Sequence, residues 1–174
     1  NKQIDRLVEY ARKYIGTPYR RGSKGPNQFD CSGFMQYIFN HFSYSLNASS
    51  ASQYLQGISV KDEEICRGDL VFFKGRNSRR SNVGHVGLVT EVYPDGRFKF
   101  IHASTSQGIR EDWNFSPYYA QRYVGARRIY FVQIDKRLIL DAILELEDID
   151  DNTPFTEMEK SITPQEFSTF VRAE

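Results

Sequence analysis

Apolar positions at the start of the chain recur at helical spacing: Ile4, Leu7, Val8, Ala11 and Ile15 fall on one stripe, and Gly16, Thr17 and Pro18 supply a stop. The segment RRGSKGPNQ, residues 20–28, has turn formers and no apolar period, and reads as a surface loop. It leads into DCSGFMQYIFNHF, where Phe34, Ile38 and Phe42 make a second helical stripe, Asp30 is a suitable N-cap and Cys31 falls in the first turn. SSASQYLQG predicts a short third helix closed by Gly57.

From there the period shortens. RGDLVFF reads as a turn followed by a buried strand, and GHVGLVTEVY and RFKFIHAS are two strands joined by Pro94, Asp95 and Gly96. Further strand pieces lie from Gly108 to Arg110 and from Tyr123 to Tyr130. Helices followed by a run of strands predict an α+β domain, its N-terminal helices packed on an antiparallel sheet. After Phe131 the apolar side chains Leu138, Leu140, Ile143 and Leu144 interrupt an acidic stretch and are expected to dock, while Thr163, Pro164 and Glu166 form a capping-box start for a last short helix.

A length of 174 residues suits one well-buried core, so residues 1–131 are assigned to a single domain and 132–174 to an acidic extension docked on it or on a neighbour. The formal net charge of +1 conceals a segregation. Residues 1–133 carry 19 Lys and Arg against 11 Asp and Glu, a net of +8, whereas residues 134–174 carry 4 against 11, a net of −7. A basic body favours an anionic partner, either a wall polymer or a nucleic acid. No nucleic-acid reading motif accompanies the charge, so nucleic acid is not expected as a partner. No apolar run approaches the roughly 18 residues of a membrane span, so no integral membrane segment is expected. The sequence opens on Asn, and an export signal is expected to be absent from this stretch. Nothing in the sequence sets an oligomeric state.

Two cysteines are too few for a disulfide framework, and neither belongs to a CxxC pair. A cysteine in the first turn of a helix has its thiol pKa lowered by the unpaired N–H groups there, and Cys31 sits among Asp30, Ser32 and Gly33, which leave room for a substrate. Cys66, between Ile65 and Arg67, reads as structural. A cysteine nucleophile needs a base, and three histidines are available. His41 falls about three turns along the helix from Cys31, too far to reach it. His85, at the start of a strand between Gly84 and Gly87, suits a base at the mouth of a cleft, and His102 on the partner strand suits the group that orients it. The competing roles for the histidines are zinc binding, which the ligand count disfavours, and that of two satisfied core side chains; no metal and no cofactor are expected. Register tests the pairing: a three-residue loop at 94–96 puts the two histidines on opposite faces unless a bulge compensates, and the expectation is a shared face.

TPYRRG, FDCSGF, RGDLVFF, GHVGLV and FIHAS stand in the order found in NlpC-type (NlpC/P-sixty) peptidases, and from Ile4 to Arg128 the chain resembles that family. The resemblance implies a papain-like fold and hydrolysis of an amide in the stem peptide of peptidoglycan, at the bond from the γ-carboxyl of D-glutamate to diaminopimelate or lysine. It implies Cys31 as nucleophile, His85 as base, His102 as orienting residue and the Tyr19 hydroxyl as an oxyanion donor beside the Cys31 N–H. It places Asp30 and Ser32 along the substrate cleft, where Asp30 is either a partner for a free amino terminus or only a helix cap. An extracytoplasmic location follows from the substrate. The same triad would also serve a muramoyl-L-alanine amidase or another amide or ester hydrolase, and a wall-binding protein that kept the fold without activity is the third reading. The chain departs from the family at Ser23, where many relatives have a second glycine, and in the long basic stretch from Arg76 to Asn82.

Overall fold

The first helix, α1 (Lys2–Arg12), starts where Asn1 caps it, its side chain accepting from the Gln3 N–H at 3.0 Å. Leu7, Val8 and Ala11 are its buried stripe. It ends one turn earlier than the apolar spacing predicts, because the Gly16 N–H is taken by the Ile109 carbonyl at 2.9 Å, and Ile15 is left half exposed. The computed structural model describes residues 1–77, 79, 82–130 and 143–144.

Next come α2 (Cys31–His41) and the short α3 (Ser50–Gln53). The inward face of α2 is Phe34, Met35, Ile38 and Phe39, broader than the stripe read from the sequence, and Gly57 follows α3 with φ +70° as expected of a chain stop. Six strands follow: β1 (Ile58–Val60), β2 (Leu70–Lys74), β3 (Val83–Val92), β4 (Phe98–Ser104), β5 (Gly108–Trp113) and β6 (Tyr123–Arg128). All pair antiparallel, in the order β1-β6-β2-β3-β4-β5. The short β1, a 3-10 turn at Asp62–Glu64 and the one-turn α4 (Pro117–Ala120) lack a clear period in the sequence. The result is the α+β architecture with an antiparallel sheet that the order of patterns implied.

Both faces of the sheet are covered. On one, Val60, Ile65, Val71, Phe73, Val89, Phe98, Phe100 and Ala126 form a cluster with Tyr119 and Tyr123 against it. Residues of the other parity, among them Leu70, Phe72, Val86, Leu88 and Ile101, are buried on the opposite face, where the Tyr54 ring meets Phe72 at 5.0 Å and α2 runs against β3 and β4. Such strands read as unbroken apolar runs because neither face meets water.

Residues 1–129 form one compact unit and 130–174 a second. The expected docking of 132–174 and the helix starting at Thr163 lie outside the described residues, apart from Ile143 and Leu144, which are about half exposed.

Candidate active site

Cys31 is the first residue of α2, and its placement follows from the cap before it. Asp30 Oδ1 accepts from the Gly33 N–H at 2.6 Å and from the Ser32 hydroxyl at 3.4 Å, while Oδ2 accepts from the Gly22 N–H at 3.0 Å. A side chain at Gly33 would meet the Ser23 carbonyl at 2.4 Å, so the loop can lie against the helix start only if this position is bare. The half-buried thiol lies across from the beginning of β3, with Sγ 3.9 Å from the Gly84 carbonyl oxygen.

The two histidines meet because of a bulge. Tyr93 N–H donates to the Arg97 carbonyl, which closes a three-residue loop at 94–96 of the parity that separates the histidines. The ladder then shifts: Glu91 faces Lys99 but Val89 faces Phe100, so Thr90 is one residue extra and the parity reverses. His85 and His102 thus share a face, with Nε2 of the first 2.8 Å from Nδ1 of the second and the rings at 89°. Gly87 lies between them in the register, and a Cβ there would come within 2.7 Å of the Phe100 ring and 3.3 Å of His102 Cβ. The missing side chain lets the strands close where the rings touch.

Beyond His102 the chain of contacts continues to a residue that the sequence reading missed. His102 is fully buried, and its Nε2 is 2.7 Å from Asp112 Oδ2; Asp112 Oδ1 in turn accepts from Arg110 Nη2 at 3.0 Å. His102 faces Arg110 directly across the β4–β5 ladder, and Asp112 stands two positions along on the same face. Drawing β5 to Trp113 instead of stopping at Arg110 would have revealed Asp112 from side-chain alternation alone. The Tyr119 ring packs against His102 at 5.2 Å and roughly parallel to His85 at 6.5 Å.

Cys31, His85, Tyr19, Asp112, Arg110 and Tyr119 are among the residues lining one cleft of about 420 Å³. Tyr19 is held there by a bridge to Phe29, with the Phe29 N–H donating to the Pro18 carbonyl and the Arg20 N–H to the Phe29 carbonyl. Asp30 and Ser32 are not among the lining residues: the Asp30 oxygens are engaged in the cap, and Ser32 is buried with its carbonyl accepting from Gln53 Nε2 at 3.1 Å. His41 ends α2, exposed, its ring stacked on Tyr10 at 3.9 Å.

Electrostatics corrects one expectation. Burial, helped by the Asp30 carboxylate, pushes the Cys31 thiol up to about 11, and this outweighs the N–H groups of Ser32, Val86 and Cys31 that favour the thiolate. Burial and the neighbouring His102 bring His85 down to about 3. His102 is also lowered by burial, against the pull of Asp112. Burial thus works against the charged forms of all three groups and opposes the thiolate that the position at the helix start favours. Cys66 also departs from its structural reading: it is exposed, with its thiol donating to the Glu64 carbonyl at 3.4 Å.

A sequence model of the NlpC/P60 family matches residues 16–128. Among curated relatives, a protein named gamma-DL-glutamyl hydrolase from Bacillus subtilis is 33% identical over 132 residues, 75% of this chain and 30% of that protein. One named murein DD-endopeptidase MepS/murein LD-carboxypeptidase from Escherichia coli is 34% identical over 125 residues, 71% of this chain and 62% of its own length. The crystal structure of an NlpC/P60 family protein from Bacillus cereus superposes with a TM-score of 0.64 at 28% identity, covering 72% of this chain and 39% of that one. The chain thus spans under two thirds of the length of each.

Proposed function

Given that the chain belongs to the NlpC/P60 family, we propose that it hydrolyses peptidoglycan, cutting an amide of the stem peptide with Cys31 as nucleophile, His85 as base and His102 as the residue that orients His85. The observation that carries this reading is the 2.8 Å contact between His85 Nε2 and His102 Nδ1 on the wall of a cleft that Cys31 also lines. With Nε2 engaged, Nδ1 is the His85 nitrogen left to take the thiol proton.

In the attacking step the proton passes from Sγ to His85 as the C–S bond forms. The oxyanion is held by the Cys31 backbone N–H and the Tyr19 hydroxyl, each donor of this kind contributing about 10²–10³ in rate. Collapse breaks the C–N bond, and the amine leaves with the proton from His85, which creates a thioester. Water then gives a proton to His85 and attacks the thioester, and the proton returns to sulfur as the acid departs. No step calls for a cofactor or a metal.

The proposed bond joins the γ-carboxyl of D-glutamate to diaminopimelate or lysine. Lys74, Arg76 and Arg110 among the cleft residues suit a stem peptide bearing free carboxylates. The Bacillus subtilis relative's name supports a γ-glutamyl bond, whereas the Escherichia coli relative's name favours a DD or LD bond as the alternative. Such a substrate places the protein outside the cytoplasm. Mass spectrometry of products released from purified peptidoglycan separates the readings: fragments ending in D-glutamate are expected, and fragments ending in D-alanine would replace the γ-bond assignment. Cys31→Ala is expected to release nothing; undiminished release by that variant would reject the nucleophile.

A further inference from the structure

Asp112 lies outside the three residues assigned above, and what it does to them rests on the peptidase reading. We propose that Asp112 is a positioning residue that sets the tautomer of His85 through His102. A carboxylate can only accept, so His102 Nε2 carries a hydrogen and donates it to Asp112 Oδ2 over 2.7 Å. In a neutral ring the other nitrogen, Nδ1, is then a lone pair. Across the 2.8 Å contact the hydrogen must therefore sit on His85 Nε2, which leaves His85 Nδ1 bare. That is the form a base needs. Two bare imidazoles in contact can run the other way equally well, with His102 Nδ1 donating to His85 Nε2 and His85 Nδ1 protonated and useless toward a thiol. The carboxylate at the far end fixes the direction.

Arg110 fixes the carboxylate. Its Nη2 donates to Asp112 Oδ1 at 3.0 Å, and a guanidinium cannot accept. This makes Asp112→Asn a sharp probe. The amide must turn its oxygen toward Arg110 and present its NH₂ to His102 Nε2, which becomes the acceptor and reverses both rings. The same-sized side chain thus writes the wrong tautomer into His85, as an Asn does in place of the Asp of a Ser-His-Asp triad.

On a soluble, defined muropeptide, Asp112→Asn is expected to lower kcat by about a hundredfold or more while KM changes by less than about threefold. The double variant Asp112→Asn with Arg110→Met frees the amide to accept from His102, and kcat is expected to recover at least about tenfold over the single variant. Nitrogen-15 spectra of the native histidines should report His85 protonated on Nε2 and bare on Nδ1. The proposal is overturned by a native His85 protonated on Nδ1, by Asp112→Asn within about threefold of native kcat, or by a double variant that stays at the level of the single one. The native spectrum decides even if a variant fails to fold. In each of those outcomes an inactive Cys31→Ala leaves the peptidase reading standing, whereas an active Cys31→Ala would remove that reading itself.

Discussion

At the scale of single residues, the site is governed by what each side chain is denied. His85 is partly withdrawn from water, and the consequence for activity has a definite sign. A base works only when unprotonated, and a pKa brought down to about 3 keeps it unprotonated far below the usual histidine value of about 6.5. The acid limb of kcat/KM is therefore expected below about pH 5; a limb near pH 6.5 would mean that His85 is not desolvated or is not the base. Gly87 is denied a side chain. Gly87→Ala pushes a methyl into Phe100 and toward His102, and is expected to cost about 1–3 kcal/mol in stability and at least about tenfold in kcat, measured by denaturant unfolding and turnover. The placement of the three proposed residues was legible as residue types in context: a cysteine behind an N-cap, and one histidine on each strand of a hairpin. Asp112 was not, because a charged residue in REDW looks like any exposed strand residue until the strand is drawn to its true end.

Among the elements, the β3–β4 hairpin shows where sequence reasoning reaches and where it stops. Turn residues fixed the loop at 94–96, and parity then required a bulge if the histidines were to meet, yet no residue type marked Thr90 as the bulged position. The buried strands were legible from their apolar runs, while β1 and α4 were not, because three or four residues carry too little period to stand above their surroundings. Asp69, read as part of a turn before β2, turns out to be buried, accepting from Arg128 Nε at 2.8 Å and Nη2 at 3.0 Å on β6 and from the Cys66 N–H at 2.8 Å. It ties the turn before the central strand to its neighbour. Since Arg128 keeps partial exposure, Asp69→Ala is expected to cost about 1–3 kcal/mol, less than a wholly buried pair, with the cleft chemistry retained in the folded fraction. Thermal unfolding and activity of the same sample check both halves.

For the whole molecule, charge is the term that the parts do not reveal. The +8 carried by residues 1–133 includes Lys74, Arg76 and Arg110 at the cleft, which favours approach to an anionic wall polymer through interactions screened within about 8–10 Å at ordinary salt. Co-sedimentation with purified peptidoglycan is expected to weaken several-fold between about 0.05 and 0.5 M salt; salt-independent binding would assign the affinity to neutral contacts. The fold class was legible in the sequence because helix and strand periods are separated along the chain. The division of charge was equally plain, but no periodic pattern says how the acidic residues after 133 are used.

In the proposed mechanism, a covalent bond between Cys31 and the stem peptide is the step on which the chemistry turns. The most direct test is to quench the protein with acid during turnover of a muropeptide, digest it, and weigh the peptide that contains Cys31. A mass increment equal to the acyl half of the substrate is expected, confined to that peptide and released by hydroxylamine. Products that accumulate while the Cys31 peptide stays unmodified, or an increment on Cys66 instead, would contradict it.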